Sequence, residues 1–152
     1  MTNSYTSFVG EVQHRIQAPS QAEAVRTTRA VLETLGERVD EGGATDIAGS
    51  LPQEIDYLLL RADHGQIFDY DEFIDRVVSR MNYDDLDLET KHGKPGQVDR
   101  ADAVFQAKAV VELLTTVVPG GKLANVENQL PPDYDDLFEF VGADTHPWDQ
   151  RD

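Results

Sequence analysis

Arg29 to Leu59 reads RAVLETLGERVDEGGATDIAGSLPQEIDYLL, and Lys108 to Phe138 reads KAVVELLTTVVPGGKLANVENQLPPDYDDLF. The two stretches align without a gap at an offset of 79 residues (108 − 29). Ala30/Ala109, Val31/Val110, Glu33/Glu112, Leu35/Leu114, Val39/Val118, Gly42/Gly121, Leu51/Leu130, Pro52/Pro131 and Leu58/Leu137 are identical pairs. A pattern written twice points to one structural unit used twice, each copy burying the stripe the other would expose.

Working outward, Tyr5, Phe8, Val9, Val12 and Ile16 recur at helical spacing, and Tyr70, Phe73 and Val77 repeat that spacing at an offset of 65 (70 − 5). The change from 65 to 79 places an insertion of 14 residues in the second half, in the polar, acidic stretch 83–97, which reads as a loop. Ser20 and Glu23 form a capping-box pattern at the start of a second helix carrying Val25, Thr28, Leu32, Leu35 and Val39. Gly42-Gly43 reads as the end of that helix, a short helix follows around Thr45–Ser50, and Pro52 suits the first position of the next. Asp69 and Asp99 read as N-caps in the second half, Pro119-Gly120-Gly121 as a helix end, and Pro131 as the start of the last helix. Thr115–Val118 is rich in β-formers, but its register with Gly36–Val39 makes it helical. The expectation is an all-α duplicated helical bundle of eight helices. It is one domain over 1–152 made of two four-helix repeats, about 4–62 and 69–141, related by a pseudo-twofold axis. The tail 142–152 lacks periodicity and is expected to be flexible.

Composition narrows the setting. The chain has 152 residues and no cysteine, which excludes disulfides, thiolate catalysis and cysteine-ligated zinc. There is no leader-like N-terminus and no apolar run of membrane-spanning length, so the expected location is the cytoplasm. Twenty-nine acids against thirteen bases give a net charge of −16, with four lysines in the chain. An acid-rich, lysine-poor surface suits concentrated salt, where a Debye length of about 3 Å at 1 M quenches self-repulsion. The lack of a basic stripe argues against nucleic acid.

Several clusters carry potential chemistry. Asp84, Asp85, Asp87, Glu89 and His92 offer oxygen ligands for a hard cation, but no glycine or closing glutamate sits where an EF-hand needs it. Asp133, Asp135 and Asp136 stand at a predicted helix start, where the dipole explains them. His14, His64, His92 and His146 show no ligand spacing along a helix. Ser4, Ser7, Ser20, Ser50 and Ser79 lack a nucleophile elbow, and Gly42, Gly43, Gly120 and Gly121 lack a phosphate-loop pattern. A carboxylate pair such as Glu33 and Glu112 could meet across the pseudo-twofold, though an exposed place on the helix face suits them better. Trp148, the sole tryptophan, either anchors a partner or folds back over the core.

Tyr5-x-x-Phe8, the text of Arg29–Val39, Gly42-Gly43-Ala44, Leu51-Pro52-Gln53-Glu54, Tyr70-Asp71-Glu72-Phe73 and Leu130-Pro131-Pro132-Asp133 together resemble the DUF2267 family, over about residues 5–140. The resemblance implies an all-helical duplicated fold and a member of the haloarchaeal type. It brings no catalytic, cofactor-binding or metal-ligating residue, since the family is a domain of unknown function. The favoured functional expectation is therefore a non-enzymatic interaction or regulatory module in a salty cytoplasm, with a protein partner or a homodimer and no cofactor. The alternative is an enzyme, or a binder of a small ligand or divalent cation, with a pocket between the halves involving carboxylates, His14, Arg29 or Lys108.

Overall fold

Ser20 is extended (φ −143°, ψ 157°), and its hydroxyl oxygen accepts the N–H of Glu23 at 3.3 Å. The cap read from the sequence thus opens α2, Gln21–Arg38. The computed structural model of the protein describes residues 5–83 and 98–138. Around α2 lie α1 (Tyr5–Ile16), α3 (Glu41–Ala48), α4 (Gln53–Leu60), α5 (Tyr70–Tyr83), α6 (Arg100–Val117), α7 (Gly120–Asn128) and a 3-10 helix, Pro132–Phe138. Among the described residues every regular element is helical. The expected loop 83–97, beyond Tyr83, and the expected tail 142–152 lie outside the described residues.

The apolar stripe of α2 is buried at Thr28, Leu32, Leu35 and Val39, and partly buried at Val25. Its other faces are buried as well, because α1, α3, α4, α5 and α6 all pack against it. Thr27, Thr34 and Arg38 are therefore interior polar groups that need partners. Thr34 donates its hydroxyl to the Ala30 carbonyl at 2.8 Å, and the Arg38 Nε donates to the Phe68 carbonyl at 2.9 Å.

α1 buries Phe8, Val9, Val12 and Ile16 against α2 and α6, while α5 buries Phe73, Ile74, Val77 and Met81 against the same two helices. α1 stops at Gln17, whose φ of +57° is left-handed, with Gln17 N–H on the His14 carbonyl (3.2 Å) and Ala18 N–H on the Gln13 carbonyl (3.0 Å). Those two bonds are the Schellman pattern, and Pro19 then prevents continuation. α5 starts under Asp69, whose carboxylate accepts the Glu72 N–H at 2.9 Å, and α6 under Asp99, whose carboxylate accepts the Asp102 N–H at 2.8 Å. Both caps follow the sequence reading. Asn82 and Val98, on either side of 84–97, exchange two hydrogen bonds at 2.9 and 3.2 Å and so close the neck of that segment.

Five local expectations are corrected. Gly42-Gly43 does not end α2. That helix stops at Arg38, and both glycines lie in the first turn of α3, where the Asp40 carboxylate accepts the Gly43 N–H at 2.7 Å. A side chain at Gly43 would press on the Gln129 amide (3.1 Å), which itself pairs with Asp40, so glycine answers a close approach there. Likewise Gly120-Gly121 opens α7 behind Pro119 instead of closing α6, which ends at Val117. The short helix expected around Thr45–Ser50 is accordingly α3, Glu41–Ala48. Pro52 stands one position before the helix, with α4 starting at Gln53. The last helix is 3-10, and its acids Asp133 and Asp136 serve another element: Asp133 accepts the Tyr70 N–H at 2.8 Å and Asp136 the Tyr70 hydroxyl at 2.7 Å. The carboxylate favoured by a helix dipole is thus at the start of α5, not of its own helix.

The segment between α4 and α5 lies on the last turn of α2. Gly65 N–H donates to the Val39 carbonyl (2.8 Å), Gln66 N–H to that of Glu37 (2.9 Å), and His64 Nδ1 to that of Gly36 (2.8 Å). Gly36 is needed where α4 crosses: a Cβ there would come within 2.7 Å of the Leu59 carbonyl. Phe68 ends the segment buried, with the Arg38 guanidinium 5.9 Å and that of Arg76 3.8 Å from its ring centre.

Candidate functional site

Two grooves follow from the way the helices cross. The first, about 470 Å³, runs between α2 and α5 and is lined by Glu37, Glu72, Asp75, Arg76, Ser79 and Arg80. A smaller hollow of about 280 Å³ joins it through Glu37 and Arg80 and adds Glu33, Leu58, Arg61, Ala62 and Asp63. Its geometry comes from two matched ladders. Glu33 and Glu37 sit four apart on α2, Arg76 and Arg80 four apart on α5, so both pairs project from one face of their helices.

Glu37 is the node. Its carboxylate takes the Arg80 guanidinium at 2.7 and 3.1 Å and the Arg76 guanidinium at 3.0 Å. Arg80 also donates to the Thr34 hydroxyl at 2.7 Å and lies 3.4 Å from Glu33, which pairs in turn with Arg61. Arg76 reaches Glu72 at 2.6 Å and Gln66 at 2.9 Å while stacking on Phe68. Burial pushes the Glu37 carboxyl up, but the hydrogen bonds and charges of Arg80 and Arg76 outweigh it and hold its pKa below the usual carboxylate range.

The second groove, about 460 Å³, runs between α1 and α6 and is lined by Ser7, Phe8, Glu11, Arg15, Leu113, Thr116 and Val117. Its floor is apolar, from Phe8, Leu113 and Val117, and its rim is charged. Arg15 bridges Glu11 at 3.0 Å and Glu112 at 3.3 Å. Position by position the two grooves correspond: Arg15 and Arg80 are 65 apart, Glu33 and Glu112 are 79 apart, and the ion pairs Arg15–Glu112 and Arg80–Glu33 fall at matching places.

Glu33 and Glu112 therefore do not face each other. Each has an arginine from elsewhere in the chain, Arg80 for Glu33 and Arg15 for Glu112; the Glu112 side chain is exposed, as favoured for the pair, whereas the Glu33 side chain is only 17% exposed. At the seam between α2 and α6, Thr27 donates to Gln106 at 3.1 Å, and these two are themselves 79 positions apart (106 − 27). None of His14, Arg29 and Lys108 lines either groove. Lys108 instead reaches Asp136 at 3.5 Å. His14 is exposed and His64 is held on the Gly36 carbonyl. Ser20 is a cap, Ser7 and Ser79 sit on groove rims, and Ser50 follows α3. Among the described residues no group of three His, Asp or Glu side chains is placed to hold a metal. Asp84, Asp85, Asp87, Glu89, His92, His146, Ser4 and Trp148 lie outside the described residues.

Burial and the Asp136 carboxylate raise the Tyr70 phenol well above its ordinary pKa, and burial pushes Tyr134 up to about 12. Both phenols are therefore neutral donors, Tyr70 to Asp136 and Tyr134 to the Phe68 carbonyl at 2.7 Å. They fasten the 3-10 helix to the start of α5. The Glu37 network was missed in the sequence, although its signal was there in the paired four-residue spacings. What the sequence did not show is that α2 and α5 are neighbours.

An all-helical chain with these paired crossings matches the uncharacterized conserved protein family DUF2267 over residues 5–137. The chain belongs to that family. A search of the curated proteins found no match. No helix among the described residues is long and apolar enough to cross a membrane.

Proposed function

We propose that this chain is a doubled helical scaffold, of the haloarchaeal type within its family, that acts as a non-enzymatic interaction or regulatory module in a high-salt cytoplasm. The doubling is supported by the packing. α1 lies on α6 as α5 lies on α2, α4 lies on α2 as the 3-10 helix lies on α6, and the Arg15–Glu112 and Arg80–Glu33 pairs correspond. The observation that carries the interaction reading is the divergence of the two grooves. Around Glu37 the polar side chains engage one another, whereas the groove between α1 and α6 is lined by buried Phe8 and Leu113 and partly buried Val117 under a charged rim. Such a lining suits a protein segment better than a polar metabolite. The competing reading, a small-ligand or divalent-cation site between the halves, draws its support from the carboxylates of the Glu37 groove. Thermal-shift screens with Mg²⁺, Ca²⁺ and charged metabolites address it.

Capture from native lysate in concentrated KCl, with the intact chain beside Val117→Arg, tests the interaction reading. A partner held by the first and lost by the second supports it, and identical captures contradict it. For the salt setting, thermal melting across a KCl series should rise markedly above about 1 M, where screening is nearly complete. A flat response contradicts that setting.

A further inference from the structure

The connection from α1 to α2 is short and strained. Four residues, Gln17-Ala18-Pro19-Ser20, separate Ile16 from Gln21 (21 − 16 − 1), whereas eighteen separate the matching positions Met81 and Arg100 (100 − 81 − 1). Gln17 has φ +57°, and among the described residues no other non-glycine has a positive φ. A side chain with a Cβ is strained there. Pro19 adds to this by favouring an extended Ala18 over a helical one. Three hydrogen bonds keep the turn shut: Gln17 N–H to the His14 carbonyl at 3.2 Å, Ala18 N–H to the Gln13 carbonyl at 3.0 Å, and the Gln13 side-chain amide to the Ala18 carbonyl at 3.3 Å. Beyond that turn, α1 packs on α2, α4 and α6, burying Phe8, Val9, Val12 and Ile16 and setting Arg15 on Glu112 at 3.3 Å. All of those partners follow the turn in the chain, so another copy offers α1 the same seat.

We propose that two copies of this chain exchange α1 about the Gln17–Ser20 hinge, each α1 lying along α6 of the other copy in a closed, twofold dimer. The exchange restores every contact α1 makes in one copy and lets Gln17 leave the left-handed region in both. A short hinge under strain favours that outcome, and swapping an identical element makes a self-complementary interface. A second copy fits where a foreign segment has no such claim, because its α1 carries the same Phe8 and Arg15 that α6 already receives. The mate helix α5 is tied differently, with Asn82 and Val98 exchanging bonds at 2.9 and 3.2 Å across a long connection. Each copy carries a net charge of −16, so concentrated salt is the condition in which two copies approach. The inference deepens the interaction reading and rests on it: one partner is a second copy, which supplies the α1 wall of each α1–α6 groove.

The chain has no cysteine, so an introduced one is unique. Full-length Arg15→Cys and Glu112→Cys chains are mixed in urea, refolded together at high concentration in concentrated KCl, and treated with a short bismaleimide. Size-exclusion chromatography with light scattering should show a dimer. That fraction should yield a covalent product of one chain of each kind, identified by mass, and the monomer fraction should yield none. In the otherwise unaltered chain, Gln17→Gly takes the left-handed conformation without strain and should raise the dimer's dissociation constant by about tenfold, with helical circular dichroism unchanged. If glycine disturbs folding, Gln17→Asn should shift the constant in the same direction. A chain that stays monomeric at the highest concentration overturns the proposal, as does a dimer without the mixed product. A dimer whose dissociation constant the folded hinge variant leaves unchanged also overturns it. Capture from lysate reports on other proteins and the cross-link on copies of this chain, so the two readings fail separately.

Discussion

The groove between α2 and α5 and the groove between α1 and α6 occupy corresponding places, hold nearly the same volume, about 470 and 460 Å³, and share one ion pair apiece at matching positions. Among the matched positions at which they differ, Thr34, Glu37, Arg38 and Arg76 in the first stand where Leu113, Thr116, Val117 and Glu11 stand in the second. In the first groove Glu37 and Arg76 appear together and satisfy each other at 3.0 Å. In the second both are absent together. Glu37 also holds Arg80 at 2.7 Å and Arg76 also holds Glu72 at 2.6 Å, so the pair is part of a wider network. The first groove is thus held by a charged network around Glu37, and the second is lined mainly by Phe8, Leu113 and Val117.

The largest effect expected from breaking this comparison is at the closest approach on the clamped side. Gly36→Ala drives a methyl group to within 2.7 Å of the Leu59 carbonyl, where backbone must move, and should cost about 2–3 kcal/mol in urea unfolding. Its counterpart Thr115→Ala removes a hydroxyl bonded to the Glu112 carbonyl of its own helix and should cost under about 1 kcal/mol. Equal costs would mean that α4 and the 3-10 helix pack alike.

A smaller effect tests the node itself. The folded-state pKa of Glu37 is depressed, so its contribution is complete above the ordinary value of 4.5 and fades as pH falls through the lower folded value. Glu37→Gln should therefore be less stable by about 1–2 kcal/mol at pH 7. That gap should close as the pH is lowered below 4.5. Unfolding free energies measured from pH 7 to 3 check it. A gap that stays constant would show that the charge is not what Arg76 and Arg80 hold.

What could be read in the sequence was what local spacing decides. The stripes of α1 and α5 and the caps at Ser20, Asp69 and Asp99 need nothing beyond their own neighbours in the chain. The glycine pairs were misread because a glycine after a helix and a glycine opening the next look alike; the capping by Asp40 and the approach of Gln129 decide it. Asp133 and Asp136 were assigned to their own helix start because their true partner, Tyr70, is more than sixty residues away. α2 showed one apolar stripe, yet five helices surround it, so Thr34 and Arg38 are interior groups that periodicity marks as surface. Of the candidate site, both ladders were visible as four-residue spacings. Their pairing was a property of the packing.

The central claim is that the two grooves are one groove in two states of elaboration, so the clamp should be transferable. Glu11→Arg with Thr116→Glu places on α1 and α6 the charges that Arg76 and Glu37 place on α5 and α2. Urea unfolding of both single variants, the double variant and the parent completes the cycle. The account predicts that Glu11→Arg alone destabilises, by setting a second arginine beside Arg15, and that the double variant recovers, with a coupling of about 1 kcal/mol or more. Strictly additive effects would contradict the equivalence of the grooves.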